Sequence, residues 1–246
     1  MDSSRRINEV NKTTKIVAFS DIHMEFDKLI LPFGDILVFA GDATTQGTEN
    51  EVMYFLSWLQ SQKTRYRAII FIGGNHDRLL EQDPSLFRQL KEEYAPDTIY
   101  LESSSYVDPI SKLKFFGLPY CQFINGRWCF ERSESEMEEI VKSIPKDTDI
   151  LISHGPPFEI LDNFYRNREV IDPTARFGFR YEKIELRVGG KALLKKIEEL
   201  RTPRIIFGHI HENGSKSLEK DGTIYYNVSI LDQHYEIAHE PMVIDV

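Results

Sequence analysis

Groups able to hold a cation recur at the ends of apolar runs in this chain. Gly73-Gly74-Asn75-His76-Asp77 follows the run at 68–72 and offers an amide, an imidazole and a carboxylate in succession. Asp21-Ile22-His23 follows 16–20, Gly41-Asp42 follows 36–40, Ser153-His154-Gly155 follows 149–152, and Gly208-His209-Ile210-His211 follows 204–207. Side chains two apart on an extended backbone point the same way, so Asp21 with His23, and His209 with His211, can each present two ligands to one side of a pocket. Either pair alone is a weak signal, and a lone histidine such as His154 is more often an ordinary core or surface residue. Together the clusters supply two carboxylates, four imidazoles and an amide, with His76 in addition. That donor set is the chemistry of a metal site. Its lack of thiolates favours manganese, iron or zinc over copper.

The elements that must carry these groups can be read from periodicity. The first strand is expected at 14–20 and the second at 36–40, after the turn-type sequence Pro32-Phe33-Gly34-Asp35. Val52, Phe55, Leu56 and Leu59 recur at helical spacing and predict an amphipathic helix over 49–62. The order strand, ligand, helix, strand, ligand implies parallel crossover units with ligands in the loops beyond the strand ends, where open α/β sheets place their sites. A helix over 84–94 is expected with Asp83 as cap and Pro84 in its first turn. Strands follow near 98–101 and 113–118, then a charged helix over 133–143 and a strand over 149–153. Gly189-Gly190 introduces a helix to about 200, and 203–207 is the strand before the histidine pair. Asp221-Gly222 marks a hairpin turn, with 223–228 and 241–246 as antiparallel strands closing the domain.

Two segments are less regular. The loop at 119–128 combines aromatics with Asn-Gly, and its two readings are a loop pinned to the core by Phe123 and Trp128 or a wall for substrate. The stretch 156–188 sets Arg166, Arg168, Arg176, Arg180 and Arg187 among aromatics without periodicity. A solvated insertion or self-association surface is favoured there over a lid that offers arginine to phosphate. Residues 1–13 read as a flexible tail and 14–246 as a single domain.

At 246 residues and a net charge of -9, the chain can bury a substantial core but lacks the basic field that stable nucleic-acid binding needs. Bound cations could still reverse the sign inside a pocket and attract phosphate. No apolar stretch approaches the ~20 residues of a membrane span and the amino end lacks a secretory core, so a cytoplasmic protein is expected. Cys121 and Cys129 lack zinc-finger spacing and read as reduced thiols, with a local disulfide as the alternative.

The motif series resembles the signature of the calcineurin-like metallophosphoesterases: Asp-x-His, Gly-Asp, Gly-Asn-His-Asp/Glu, His and Gly-His-x-His. Within that superfamily, Pro32-Phe33-Gly34-Asp35-Ile36-Leu37, Ser153-His154-Gly155-Pro156-Pro157 and Phe207-Gly208-His209-Ile210-His211-Glu212 are most similar to the metallophosphoesterase-domain-containing branch related to class III cyclic nucleotide phosphodiesterases. The resemblance implies a four-layer αββα sandwich of two mixed sheets flanked by helices. It assigns Asp21, His23, Asp42 and His211 to one metal, and Asp42, Asn75, His154 and His209 to a second, with Asp42 as the bridge. His76 would stabilise the phosphoryl oxygens or protonate the leaving alkoxide, Asp77 would hold its ring, and Asn75 would also contact substrate. The implied activity is a dinuclear metal-dependent phosphodiesterase that hydrolyses small phosphodiesters, cyclic nucleotides among them, by attack of a metal-bridging hydroxide. Manganese is the favoured cation, with iron or zinc as alternatives, and the partner is a small-molecule phosphodiester rather than a nucleic acid or a membrane. A metal-dependent phosphomonoesterase or protein phosphatase is the alternative. A non-catalytic scaffold ranks lower because no ligand is lost, and a nuclease ranks lower because the chain is acidic.

Overall fold

The computed structural model describes residues 13–246 apart from 172, 173, 175 and 178, so the tail expected over 1–13 lies outside the described residues except for Thr13. The first half runs β1 (Lys15–Phe19), β2 (Ile36–Phe39), α1 (Glu49–Ser61), β3 (Ala68–Phe71), α2 (Arg78–Gln82), α3 (Pro84–Tyr94), β4 (Ile99–Tyr100), β5 (Ser104–Val107) and β6 (Lys114–Leu118). There follow β7 (Cys121–Gln122), β8 (Glu131–Arg132), α4 (Glu134–Ile140), β9 (Ile150–Ser153), β10 (Asn163–Ile171) and β11 (Phe179–Arg187). The chain ends with α5 (Lys191–Leu200), β12 (Arg204–Phe207), β13 (Lys216–Lys220), β14 (Thr223–Asn227) and β15 (Met242–Asp245).

Helix ends follow local chemistry. Thr48 and Glu51 form a reciprocal capping box that opens α1, and Ser133 with Glu136 does the same for α4. Asp83 accepts the Leu86 N–H at the start of α3, where Pro84 sacrifices no donor that the helix could use.

Among the described residues one large sheet has the order β15-β1-β2-β3-β4 and a second large sheet β13-β14-β12-β9-β6-β5, with β7-β8 and β10-β11 as two-stranded ribbons. Strands β1, β2 and β3 are parallel, with Phe19, Phe39 and Phe71 in register, so their carboxyl ends finish level. In the second sheet β9 and β12 are likewise parallel, with Ile152 opposite Ile206. One set of strand faces, including Ile16, Ala18, Ile36, Val38 and Ile70, packs in a single core with Phe115, Ile150, Ile152 and Ile206 of the other sheet. The opposite faces, Val17, Phe19, Leu37, Phe39, Ile69 and Phe71, join a core that includes Phe55 and Leu56 of α1 and Phe87 of α3. Met137, Leu193 and Ile197 complete the helical layer over the second sheet. Each such large side chain contributes roughly 1.5–3 kcal/mol on burial. The layers are therefore helix, sheet, sheet, helix, as expected.

The central strands are apolar on both faces, so only their carboxyl ends can carry polar chemistry without leaving it stranded in the core. Backbone hydrogen bonds from Ser20 N to Val228 O (2.9 Å) and from Ile230 N to Ser20 O (3.1 Å) fasten the two sheets together at that end. Between the sheets, Arg67 pairs with Asp35 (2.7 Å) and with the buried Asp108 (2.9 Å).

Two expectations change. Strands β14 and β15 do not pair with each other: β14 runs antiparallel to β13 but parallel to β12, while β15 runs antiparallel to β1 in the other sheet. The stretch 156–188 is not irregular, since β10 and β11 pair over nine positions from Asn163 opposite Arg187 to Ile171 opposite Phe179. β10 is exposed on both faces over most of its length and so lacks the alternation by which half-buried strands are recognised, whereas β11 alternates between half-buried Glu182, Ile184 and Leu186 and exposed Lys183, Glu185 and Arg187.

Candidate metal centre

The donors converge where the two sheets are joined. Asp21 and His23 follow β1, Asp42 follows β2, Asn75 follows β3, His154 follows β9, and His209 and His211 follow β12. Asp21 (φ 52°), His23 (φ 39°), Asp42 (φ 60°) and His209 (φ 70°) occupy the left-handed backbone region. Each such residue costs on the order of 1–3 kcal/mol and persists only where surrounding contacts over-determine it. Those contacts are present: Asp21 N donates to Gly41 O (2.9 Å), and the Asp21 carboxylate accepts the His209 N–H (2.9 Å) and the Ser229 hydroxyl (2.7 Å). Gly74 lies so close to Asp42 that an added Cβ would meet Oδ1 at 2.3 Å and the backbone nitrogen at 2.4 Å.

Four imidazoles are oriented in one way. Nδ1 of His23 faces Thr44 O (3.1 Å), that of His76 faces Thr45 O (2.9 Å), that of His154 faces Ala40 O (3.0 Å) and that of His211 faces Asp232 O (2.9 Å). A carbonyl can only accept, so each Nδ1 carries the proton and Nε2 is the inward-facing atom. His211 Nε2 lies 3.6 Å from Asp21 Oδ1, whereas Asp42 Oδ2 is 3.4 Å from His154 Nε2 and 3.8 Å from His23 Nε2. Asn75 Oδ1 is 2.9 Å from His154 Nε2.

Among the described residues, ligand-type atoms fall into three groups with mutual separations within 4.8 Å: Asp21, His23 and His211; His23, Asp42 and His76; and Asp42, His154 and His209. His23 Nε2 is buried without a hydrogen-bond partner. An orphaned lone pair aimed at two carboxylates, beside imidazoles held in the ligating tautomer, fits divalent cations.

Electrostatics agree with that fit. Burial alone would raise the Asp21 and Asp42 carboxyls, but His211 beside Asp21 and His154 beside Asp42 hold both below the usual carboxylate range. Burial disfavours the charged imidazoles, yet Asp42 lifts His154 to about 9 and Asp21 lifts His211 to about 9. Burial pushes His23 down to about 4, and burial with the neighbouring His154 takes His209 to about 3. Protons on two imidazoles thus balance the charge of two buried carboxylates, a balance that a cation can replace.

Asp77 departs from expectation. Its carboxylate does not hold the His76 ring; it accepts the backbone N–H groups of Asp42 (2.9 Å), Ala43 (3.3 Å), Thr44 (3.0 Å) and Gly74 (2.8 Å), and the Thr44 hydroxyl (2.8 Å). Burial and the Asp42 charge push this carboxyl up to about 6. It braces the loop that presents Asp42. The His76 ring is held instead by Thr45 O and by Trp128, whose ring centroid is 4.4 Å away at an interplanar angle of 34°. Phe123 is 56% exposed and so does not pin its loop to the core. Both cysteines are free and buried.

Above these donors opens a cleft of about 310 Å³. Asp42, Asn75, His76, His209 and His211 contribute to its floor, and Ile124, Trp128, Phe164, Val188, Ile210 and Tyr235, with the polar Glu212 and Gln233, to its walls. Phe164 and Val188 come from the root of the β10–β11 ribbon. The ribbon's arginines do not line the cleft among the described residues. Tyr235, 5.0 Å from the His23 ring and 5.2 Å from the His211 ring, had no signature in the sequence because nothing in its spacing links it to a ligand motif. His234 and His239 do not join the donor groups among the described residues.

Comparison with known proteins agrees with this architecture. The sequence profile described as calcineurin-like phosphoesterase matches residues 14–213. Human metallophosphoesterase domain-containing protein 1 is 31% identical over a match that covers 95% of this chain and 71% of the relative. TT1561 of Thermus thermophilus, at 10% identity, superposes with a TM-score of 0.58 over 95% of this chain and 99% of that one. Phosphopantetheinyl hydrolase from Mycobacterium tuberculosis, at 14% identity, gives 0.51 over 90% of each chain. The structural likenesses concern the fold alone, and among the described residues no helix is long and apolar enough to cross a membrane. A donor set at the joined ends of two sheets, matched by a profile that spans most of the sequence, places the chain in the calcineurin-like phosphoesterase family.

Proposed function

We propose that this phosphoesterase is a dinuclear phosphodiesterase acting on small diesters, with cyclic nucleotides among the candidate substrates. Asp21, His23, Asp42 and His211 would hold one cation, and Asp42, Asn75, His154 and His209 the other; manganese is the first choice, with iron and zinc the alternatives. When bound, the pair supplies Lewis-acid polarisation of the phosphoryl group and acidifies the water that attacks phosphorus. His76 keeps Nδ1–H on Thr45 O, so Nε2 faces the cleft, and it is as the imidazolium, with a second proton on Nε2, that the ring would protonate the leaving alkoxide or donate a hydrogen bond to a phosphoryl oxygen. Asp77 acts through the Asp42 loop rather than on substrate.

The observation that carries the diester over the monoester is the lining of the cleft, which includes Glu212 and no lysine or arginine among the described residues. A monoester dianion would have to meet that wall with the cations as its sole counter-charge, whereas a diester brings one negative charge. The test reconstitutes metal-free protein with manganese and compares bis(p-nitrophenyl) phosphate, p-nitrophenyl phosphate, and 2′,3′- and 3′,5′-cyclic nucleotides. Diester preference is expected. Faster monoester turnover would move the protein to the phosphatase class, and silence on all diesters would overturn the proposal.

A further inference from the structure

The walls of the cleft are more apolar than phosphate chemistry requires, and they come from separated parts of the chain. Tyr235 is 51% exposed yet held in the left-handed region at φ 62°. A tight turn fixes it there: Asp232 Oδ1 accepts the N–H groups of His234 (2.8 Å) and Glu236 (3.1 Å), and Asp232 O accepts that of Tyr235 (3.0 Å). The same Asp232 carbonyl orients His211. The turn that sets a candidate ligand therefore also sets an aromatic ring over it. From the 119–130 loop come Ile124 and Trp128, the latter backing His76. Phe164 and Val188 belong to the ribbon root, which Asn213 Nδ2 ties down through Leu161 O (3.0 Å) and Asn163 O (2.9 Å) and where Arg187 pairs with Asp162 (2.8 Å).

Strained backbone beneath a half-exposed tyrosine is retained only where surrounding structure over-determines it, and such positions concentrate at ligand sites. A cleft of about 310 Å³ is at the small end of ligand pockets and suits a small phosphodiester rather than a polymer. We propose that Tyr235, Trp128, Ile124 and Phe164 form a binding subsite for a planar aromatic group of the phosphodiester substrate, with Tyr235 as the main determinant of that preference. This deepens, and rests on, the phosphodiesterase reading. Aromatic walls favour a flat ring over an alkyl group because ring contacts add edge and face electrostatics to area burial, and a rigid ring has fewer torsions to freeze.

The test separates the subsite from turnover. Calorimetric titration of the manganese-loaded protein with phenylphosphonate and methylphosphonate, neither of which contains a hydrolysable ester, should give about tenfold tighter binding of the phenyl compound, equivalent to about 1.4 kcal/mol. Tyr235→Ala should reduce that ratio to within about twofold, and Tyr235→Phe should restore it. In parallel, kcat/KM for phenyl p-nitrophenyl phosphate over methyl p-nitrophenyl phosphate, which share a leaving group, should fall in Tyr235→Ala mainly through KM. Equal affinity of the two phosphonates for the wild-type protein, or a ratio unmoved by Tyr235→Ala, would overturn the subsite even if diesters are hydrolysed. Phenyl selectivity in binding with no hydrolysis of either diester would support the subsite and overturn the phosphodiesterase reading.

Discussion

Asp77→Asn separates a carboxylate that braces a loop from one that acts on the His76 ring. Oδ1 of Asp77 accepts Thr44 N (3.0 Å) and Thr44 Oγ1 (2.8 Å), and Oδ2 accepts Gly74 N (2.8 Å), Asp42 N (2.9 Å) and the longer Ala43 N (3.3 Å). Whichever oxygen becomes an amide nitrogen, at least two good acceptor contacts are lost and an N–H is turned toward other N–H donors. Hydrogen bonds to a charged partner are worth about 1.5–3 kcal/mol each, but burial and the Asp42 charge penalise the ionised carboxylate and the amide relieves that penalty, so the substitution should cost roughly 2–3 kcal/mol net. The loss falls on the loop in which Asp42 sits at φ 60°, so metal affinity should drop together with stability. Urea unfolding and metal content by mass spectrometry, both at pH 8 where Asp77 is ionised, are the assays. Thr44→Val, which removes a single donor, should cost about 1–2 kcal/mol. An Asp77→Asn protein within about 1 kcal/mol of wild type, fully metallated but slow, would refute the reasoning, because that pattern belongs to a carboxylate working through His76.

Asp42→Ala should abolish turnover and empty both metal positions, since Asp42 Oδ2 faces both His154 and His23. His76→Ala should retain metal and lose roughly 10²–10⁴ in kcat; depletion as complete as in Asp42→Ala would show that His76, which lies in a donor group with His23 and Asp42, is a ligand. Gly74→Ala should weaken metal binding while far-ultraviolet circular dichroism stays native, because its Cβ would meet the Asp42 backbone nitrogen at 2.4 Å. Wild-type metal affinity in that variant would mean that the loop yields. Burial alone would raise the Asp108 carboxyl, but the Arg67 and Ser111 hydrogen bonds outweigh it and hold it at about 2. Since the folded value lies below the unfolded one near 3.9, the contribution of about 2 kcal/mol is present above pH 4 and lost as pH falls toward 2. Asp108→Asn should therefore lower Tm by roughly 4–8 °C at neutral pH and flatten the acid limb of the stability profile, measured by calorimetry; an unchanged acid limb would contradict the pairing.

What the sequence determined by itself was whatever local periodicity and short motifs encode. Buried parallel strands are continuous apolar runs, so β1, β2, β3, β9 and β12 were legible, and the polar residues at their ends could be read as a group. Caps such as Asp83 with Pro84 were legible for the same local reason. Tertiary structure alone decided the partners. Asp77 and His76 are neighbours in sequence, yet the carboxylate turns back to the Asp42 loop, 35 residues away, because that loop offers unsatisfied N–H groups that the ring does not. β10 was illegible because a strand exposed on both faces carries no burial pattern, and without it the weak alternation of β11 had no visible partner. Tyr235 was equally silent: its place over the metal donors depends on a turn from beyond β14 meeting a histidine from beyond β12. Such a contact is set by the parallel pairing of those strands and by no spacing along the chain.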